Sequence, residues 1–194
     1  VQGVLAHELG HIVGGHIARR GEGAKAATGI SLLSLLAGVG AVLAGAGEAG
    51  MAAIMMGQRA AIGKYLAYSR SEEGSADAAG ATFLSRAGIS GRGSLAFFEK
   101  LAGLEMRYAV SRDPEMEYVR SHPLTSDRIA TLRDTYERDP AWETPDDPAM
   151  QARFERIKAK LVGYLEEPAQ TLRLYPPSVS TVPAHYARAY AYHK

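Results

Sequence analysis

Apolar residues at Val1, Val4, Leu5, Leu9, Ile12, Val13 and Ile17 recur at helical spacing, which predicts a helix over residues 1 to 20. Gly14, Gly15 and Gly21 lower its propensity locally. Between Lys25 and Glu48 the chain carries no charge and is built from Ala, Gly, Leu, Val and Ser. At roughly 20 residues this run reaches membrane-span length. Its small residues and few large apolar ones favour a buried helical hairpin broken near residues 45–50, with a membrane span or a hairpin on a membrane surface as alternatives. Met51, Met55 and Met56 lead into another helix, and a helical pattern over 62–86 stops before Gly88. Ser90 or Ser94 can cap a helix through Phe97, Phe98, Leu101 and Leu104. Pro114 and Pro123 bracket a short segment, after which Thr125 or Ser126 can cap a helix carrying Ile129, Leu132 and Tyr136. Three prolines make 139–148 a loop. A charged amphipathic helix is expected over 149–165, then an extended, linker-like stretch over 168–183. The last residues, with Tyr186, Ala187, Ala189, Tyr190 and Ala191, suit one helix of a small-residue and tyrosine repeat. No strand is legible, so the expected fold class is mostly α.

Composition narrows the chemistry. The 194 residues suffice for a domain with a core. With 22 Lys and Arg against 21 Asp and Glu, no electrostatic footprint for nucleic acid exists. There is no cysteine, which excludes disulfides, thiolate metal sites and cysteine nucleophiles. Any metal must be held by histidine and carboxylate. The chain opens on Val1 in a helical pattern, with no charged start before an apolar run. It therefore reads as a piece whose upstream part, with any targeting signal, lies elsewhere.

The strongest chemical signal is His7-Glu8-Leu9-Gly10-His11, an HExxH motif. On a helix, residues four apart share a face, so both imidazoles can reach one tetrahedral Zn²⁺. Glu8 sits where a general base could take a proton from the activated water. A third ligand is needed, and no third histidine follows in the extended HExxHxxGxxH spacing. The candidate stretch is Ser69 to Asp77. There Glu73 and Asp77 share a face with the small residues Ala76, Gly80 and Ala81, which would permit close approach to the first helix. Glu73 is expected to ligate zinc and Asp77 to accept a hydrogen bond from a ligand imidazole. Glu72 is expected to be a solvated surface carboxylate. His16, His185 and His193 are expected to be non-ligands, His16 because five residues after His11 is off the ligand face.

These stretches, together with Ser121-His122-Pro123-Leu124 and Arg128, resemble peptidase family M48, and in particular its BepA-like periplasmic branch. The resemblance covers about residues 1–138. It implies a zincin-like helical core with strands upstream of this sequence, Glu73 as third ligand, Asp77 behind the ligands, and His122 near the zinc. In BepA-like members that histidine can occupy the open coordination site and hold the enzyme latent. Arg128 would orient Glu73, Asp77 or substrate, with an ordinary surface arginine as the alternative. The expected organisation is a metallopeptidase domain over 1–138, a loop, helix and linker over 139–182, and the first helix of a tetratricopeptide repeat over 183–194.

The function expected is a zinc-dependent endopeptidase acting on misfolded or misassembled envelope proteins of a bacterium. Its partners would be such substrates, the outer-membrane assembly machinery and, through 26–47, a membrane surface, with no nucleic acid. The competing reading is a chaperone-like interaction module whose zinc site is latent or structural.

Overall fold

A computed structural model describes residues 1–108 and 126–194 of the chain, and among these all regular structure is helical. Two compact units are present, Val1–Thr144 and Pro145–Lys194.

The first unit begins with α1 (Gln2–Val13) and α2 (His16–Leu43). The single helix expected over 1–20 is thus two, because the chain turns at Gly14-Gly15. Gly15 takes a left-handed φ of 66°, a conformation that costs glycine nothing. The next helix, α3 (Gly47–Arg86), is continuous across 40 residues and merges the two helices expected from Met51 and from Ile62. Gly45, at φ 87°, turns the chain between α2 and α3. These two helices touch through small residues: a Cβ on Gly38 would lie 2.6 Å from the Gly50 carbonyl oxygen, and one on Gly50 2.5 Å from the Gly38 oxygen.

Residues 26–47 are therefore in a helical hairpin, but not a buried one. Leu33, Leu36 and Leu43 are 69%, 70% and 82% exposed. The covered positions are Ala27, Ile30, Ser31, Ser34, Gly38 and Ala41 among others, while every leucine of α2 is exposed. Among the described residues α2 is the one helix long and apolar enough to cross a membrane.

The core lies at the other end of α3. Ala81 and Leu84 of α3 pack with Ala6 of α1, with Leu95 and Phe98 of α4 (Arg92–Tyr108), and with Leu132 and Tyr136 of α5 (Ser126–Glu137). Burying Phe98 or Leu132 contributes about 1.5–3 kcal/mol each. The α3–α4 turn uses Gly88 at φ 65°, and Ser90 accepts a hydrogen bond from the Arg92 amide as α4 starts. Ser94, the other expected cap, is instead buried and accepts a hydrogen bond from the Tyr136 hydroxyl. A 3₁₀ turn, Pro140–Glu143, closes the unit; Asp139 caps it by accepting from the Ala141 amide at 2.7 Å. Pro114, His122, Pro123 and Thr125 lie outside the described residues.

The second unit holds α6 (Pro148–Leu165), α7 (Pro168–Leu174) and α8 (Val182–His193). Each opens with a proline in its first turn, where the missing N–H has no intrahelical partner to lose. Asp147 and Thr181 cap α6 and α8 through the Ala149 and Ala184 amides. The stretch 168–183 was expected to be extended, yet its first half is helical. Thr171 is fully buried there, and its hydroxyl reaches the Val162 carbonyl. Buried Arg188 ties the chain after α7 by donating to the carbonyls of Pro176 and Val179, both at 2.9 Å. Helices α6 and α8 meet at Gly163, where a Cβ would stand 2.5 Å from the Ala187 oxygen.

Candidate metal centre

Helix α1 crosses α3 with almost no side chain between them. A Cβ on Gly10 would meet the Ala76 carbonyl oxygen at 2.6 Å, and one on Gly80 would meet the His7 amide nitrogen at 3.1 Å. That closeness brings the two imidazoles of α1 onto the carboxylates of α3. His7, His11, Glu73 and Asp77 are all buried. The Nε2 atoms of His7 and His11 are 3.1 Å apart. Glu73 reaches both: its Oε2 lies 3.5 Å from His7 Nε2 and its Oε1 3.3 Å from His11 Nε2. Three potential donors of the types zinc prefers thus converge on one point.

Their spacing fits the ion. Bonds of about 2.0–2.1 Å in a tetrahedron place neighbouring ligand atoms about 3.3 Å apart, close to the observed separations. The donor set, two nitrogens and an oxygen with no thiolate, suits zinc.

The groups behind the cluster hold it in place. Asp77 Oδ1 is 2.9 Å from His7 Nδ1, so the imidazole turns its Nε2 toward Glu73. Arg128, on α5, is buried and grips Asp77 with two hydrogen bonds, Nε to Oδ2 at 2.7 Å and a terminal nitrogen to Oδ1 at 2.9 Å. Its other terminal nitrogen is 3.0 Å from Glu73 Oε2. One guanidinium therefore positions both carboxylates, and removing one member of such a buried charge group costs about 3–5 kcal/mol. Phe98 packs edge-on against His7, with ring centroids 5.9 Å apart.

The electrostatics follow from these contacts. Burial opposes a charge on His7, but hydrogen bonds to Asp77 and Glu73 outweigh it and push its pKa up to about 9. Burial likewise opposes a charge on Asp77, yet hydrogen bonds to His7 and Arg128 hold its carboxyl below the ordinary 3.8. Burial and the neighbouring His11 lower the pKa of His16.

Glu8, between the two imidazoles on α1, is half-buried. His122 lies outside the described residues. Arg128, which sequence alone left open between an orienting and a surface role, is buried against Asp77 and Glu73. Two residues differ from expectation. Glu72 is half-buried on a cleft wall rather than fully solvated, with its Oε1 enclosed. His16, expected to lie off the ligand face, has its Nδ1 2.9 Å from His11 Nδ1. A cleft of about 260 Å³ opens beside it, walled by Arg19, Tyr68, Glu72 and Ser75 among others. His185 stands 3.1 Å from Arg188, in the second unit.

Comparison with known proteins places the chain in a family. A Vibrio cholerae protein named as a beta-barrel assembly-enhancing protease is 37% identical over 131 residues, 68% of this chain and 26% of the relative. Proteins of that name from Yersinia pestis and Escherichia coli are each 31% identical, over 67% of this chain and 26% of their own length. The chain thus spans about a quarter of these relatives. No solved structure matches it. Residues 1–136, which contain α1, α3 and the whole cluster, match Peptidase family M48, and the chain belongs to that family of zinc metallopeptidases.

Proposed function

We propose that the chain is the catalytic part of a zinc-dependent endopeptidase that hydrolyses misfolded or misassembled envelope proteins. The observation that carries this reading is the convergence of His7 Nε2, His11 Nε2 and a Glu73 carboxylate oxygen on one buried point. These three residues would hold the metal. Zinc held there would lower the pKa of a water toward neutrality and polarise the scissile carbonyl. Glu8 takes the proton of the attacking water and delivers it to the leaving amine. Asp77 keeps the His7 lone pair on Nε2, and Arg128 keeps Glu73 and Asp77 in place. His122 closes the remaining coordination position in the resting state, as the likeness to BepA-like members suggests, so that the enzyme is latent until the histidine swings away.

The relatives' name, beta-barrel assembly-enhancing protease, supports substrates and partners in outer-membrane assembly and a periplasmic setting. On that reading α8 is the first helix of a tetratricopeptide repeat, a module that holds clients or assembly partners. The uncovered leucines of the α2–α3 hairpin favour a place at a membrane surface. A full crossing fits less well. On α3 only ten residues separate Glu48 from Arg59, about 15 Å of helix, half of a hydrocarbon core of about 30 Å. The hairpin therefore lies in one leaflet, its α2 side down.

The test is Glu8→Gln in the full chain, assayed on casein and on unfolded outer-membrane protein. Cleavage should be lost while bound zinc stays at the wild-type level. Wild-type cleavage by that variant removes Glu8 from its role. Absence of cleavage by the His122→Ala variant, with zinc bound, favours the chaperone-like module instead.

A further inference from the structure

The two imidazoles of the centre are held from behind in different ways. His7 has a carboxylate, Asp77, at its Nδ1. At His11 an imidazole stands in that place: its Nδ1 faces His16 Nδ1 at 2.9 Å. The contact continues: His16 Nε2 is 2.9 Å from Ser75 Oγ, and Ser75 Oγ donates to the Glu72 carbonyl oxygen at 2.9 Å. We infer that His16 and Ser75 form a hydrogen-bonded relay that fixes the tautomer and orientation of His11, making His16 a positioning residue of the metal centre.

The direction of the relay follows from its last member. A backbone carbonyl only accepts, so the single hydroxyl proton of Ser75 is committed to Glu72. Ser75 Oγ then accepts from His16, whose Nε2 carries the proton. A neutral His16 with its proton on Nε2 has a bare Nδ1, which accepts from His11 Nδ1–H. His11 is left with a bare Nε2, the atom that faces His7 and Glu73. A fixed carbonyl on α3 thus sets which nitrogen of His11 is free to bind metal. The opposite polarity would put a proton on His11 Nε2 and block it.

The fold is arranged for this contact. In an unbroken helix, a residue five positions after His11 would point away from it. The turn at Gly14-Gly15 restarts the chain as α2 and folds His16 back, so closely that a Cβ on Gly14 would lie 2.5 Å from the His16 ring. His16 is buried although the residues after it, Ile17, Ala18 and Arg19, are exposed.

The proposal rests on the zinc reading, and its test separates the two. His16→Phe keeps a ring but removes both nitrogens; His16→Asn restores an acceptor for the His11 N–H and a donor for Ser75. Zinc affinity of the full chain is read by competition with a chelator, and the His11 tautomer of the metal-free chain by ¹⁵N NMR. Loss of such a partner weakens metal binding about 10- to 100-fold, which is the fall expected for His16→Phe, with His16→Asn recovering most of it. The wild-type tautomer should be Nδ1–H on His11. His16→Phe within twofold of wild type, or His16→Asn falling as far as His16→Phe, overturns the relay. So does an Nε2–H tautomer on His11. If the wild-type chain binds no zinc, the zinc reading fails, and the tautomer alone then decides whether the relay exists.

Discussion

Replacing Gly10 by Ala tests how the centre is assembled, because it adds one methyl group where α1 meets α3. The new Cβ would stand 2.6 Å from the Ala76 carbonyl oxygen and 2.9 Å from its Cα. Ordinary contact begins near 3.4 Å, so the helices must part by about 0.5–0.8 Å; both neighbours are backbone, and no rotamer change relieves them. Overpacking of this kind costs about 1–3 kcal/mol, while Ala gains about 0.8–1 kcal/mol over Gly in helix propensity. The net loss of stability is therefore modest, about 0–2 kcal/mol. The effect on metal is larger in proportion, because His7 and His11 ride on one helix and Glu73 on the other, and zinc bonds tolerate only about 0.2 Å. Zinc affinity, measured against a chelator, should fall at least about tenfold. Gly80→Ala, whose Cβ meets its neighbours at 3.1–3.2 Å, should cost less. Gly74→Ala, beside Glu73 but facing open space, should leave zinc binding unchanged and raise the melting temperature. Wild-type zinc affinity in Gly10→Ala, or a larger loss in Gly80→Ala, would refute the close helix crossing as the origin of the site.

The metal-free chain should have a pH optimum of stability. The raised pKa of His7 stabilises the fold fully below 6.5, and this is lost as pH rises through about 9; the lowered pKa of Asp77 stabilises it above 3.8, and this is lost as pH falls below that value. Melting temperatures should therefore peak between those limits and decline toward pH 9, whereas the gain on adding zinc should grow with pH up to about 9, since the metal displaces the His7 proton. A zinc-induced shift independent of pH would contradict this. Replacing exposed Leu33, Leu36 and Leu43 by Gln should abolish co-sedimentation with anionic lipid vesicles without lowering the melting temperature, and unchanged sedimentation would remove the hairpin from the membrane. Replacing His122 by Ala should raise proteolysis at unchanged zinc content; a large fall in turnover with zinc retained would instead make His122 an oxyanion stabiliser.

Much of this centre was legible because it is written in local periodicity. Four-residue spacing fixes the shared faces of His7 with His11 and of Glu73 with Asp77 before any tertiary contact is known. The small residues Ala76, Gly80 and Ala81 announce a close approach, while the part of Gly10 emerges only from the structure. What was illegible depends on contacts between distant segments or on where a helix breaks. Arg128 reads equally well as a surface or a buried arginine until α5 is laid beside α3. His16 reads as off the ligand face because a continuous helix was assumed across Gly14-Gly15; the left-handed Gly15 resets that register. The hairpin 26–47 was read as buried, since Gly and Ala resemble a packed interior, but those small residues line only the helix–helix seam and leave the leucines outside. Likewise, helix α7 follows from burial of Thr171 rather than from any apolar periodicity in its seven residues.

The central claim is that α1 and α3 together hold one zinc through His7, His11 and Glu73. Zinc K-edge absorption spectroscopy on the chain purified without added metal, with elemental analysis of the same sample, tests it most directly. The account predicts about one zinc per chain, bound by imidazole nitrogen and oxygen at about 2.0–2.2 Å with no sulfur, and loss of that metal in Glu73→Gln. A chain that neither retains zinc nor takes it up on addition, or that keeps wild-type affinity without Glu73, would contradict it.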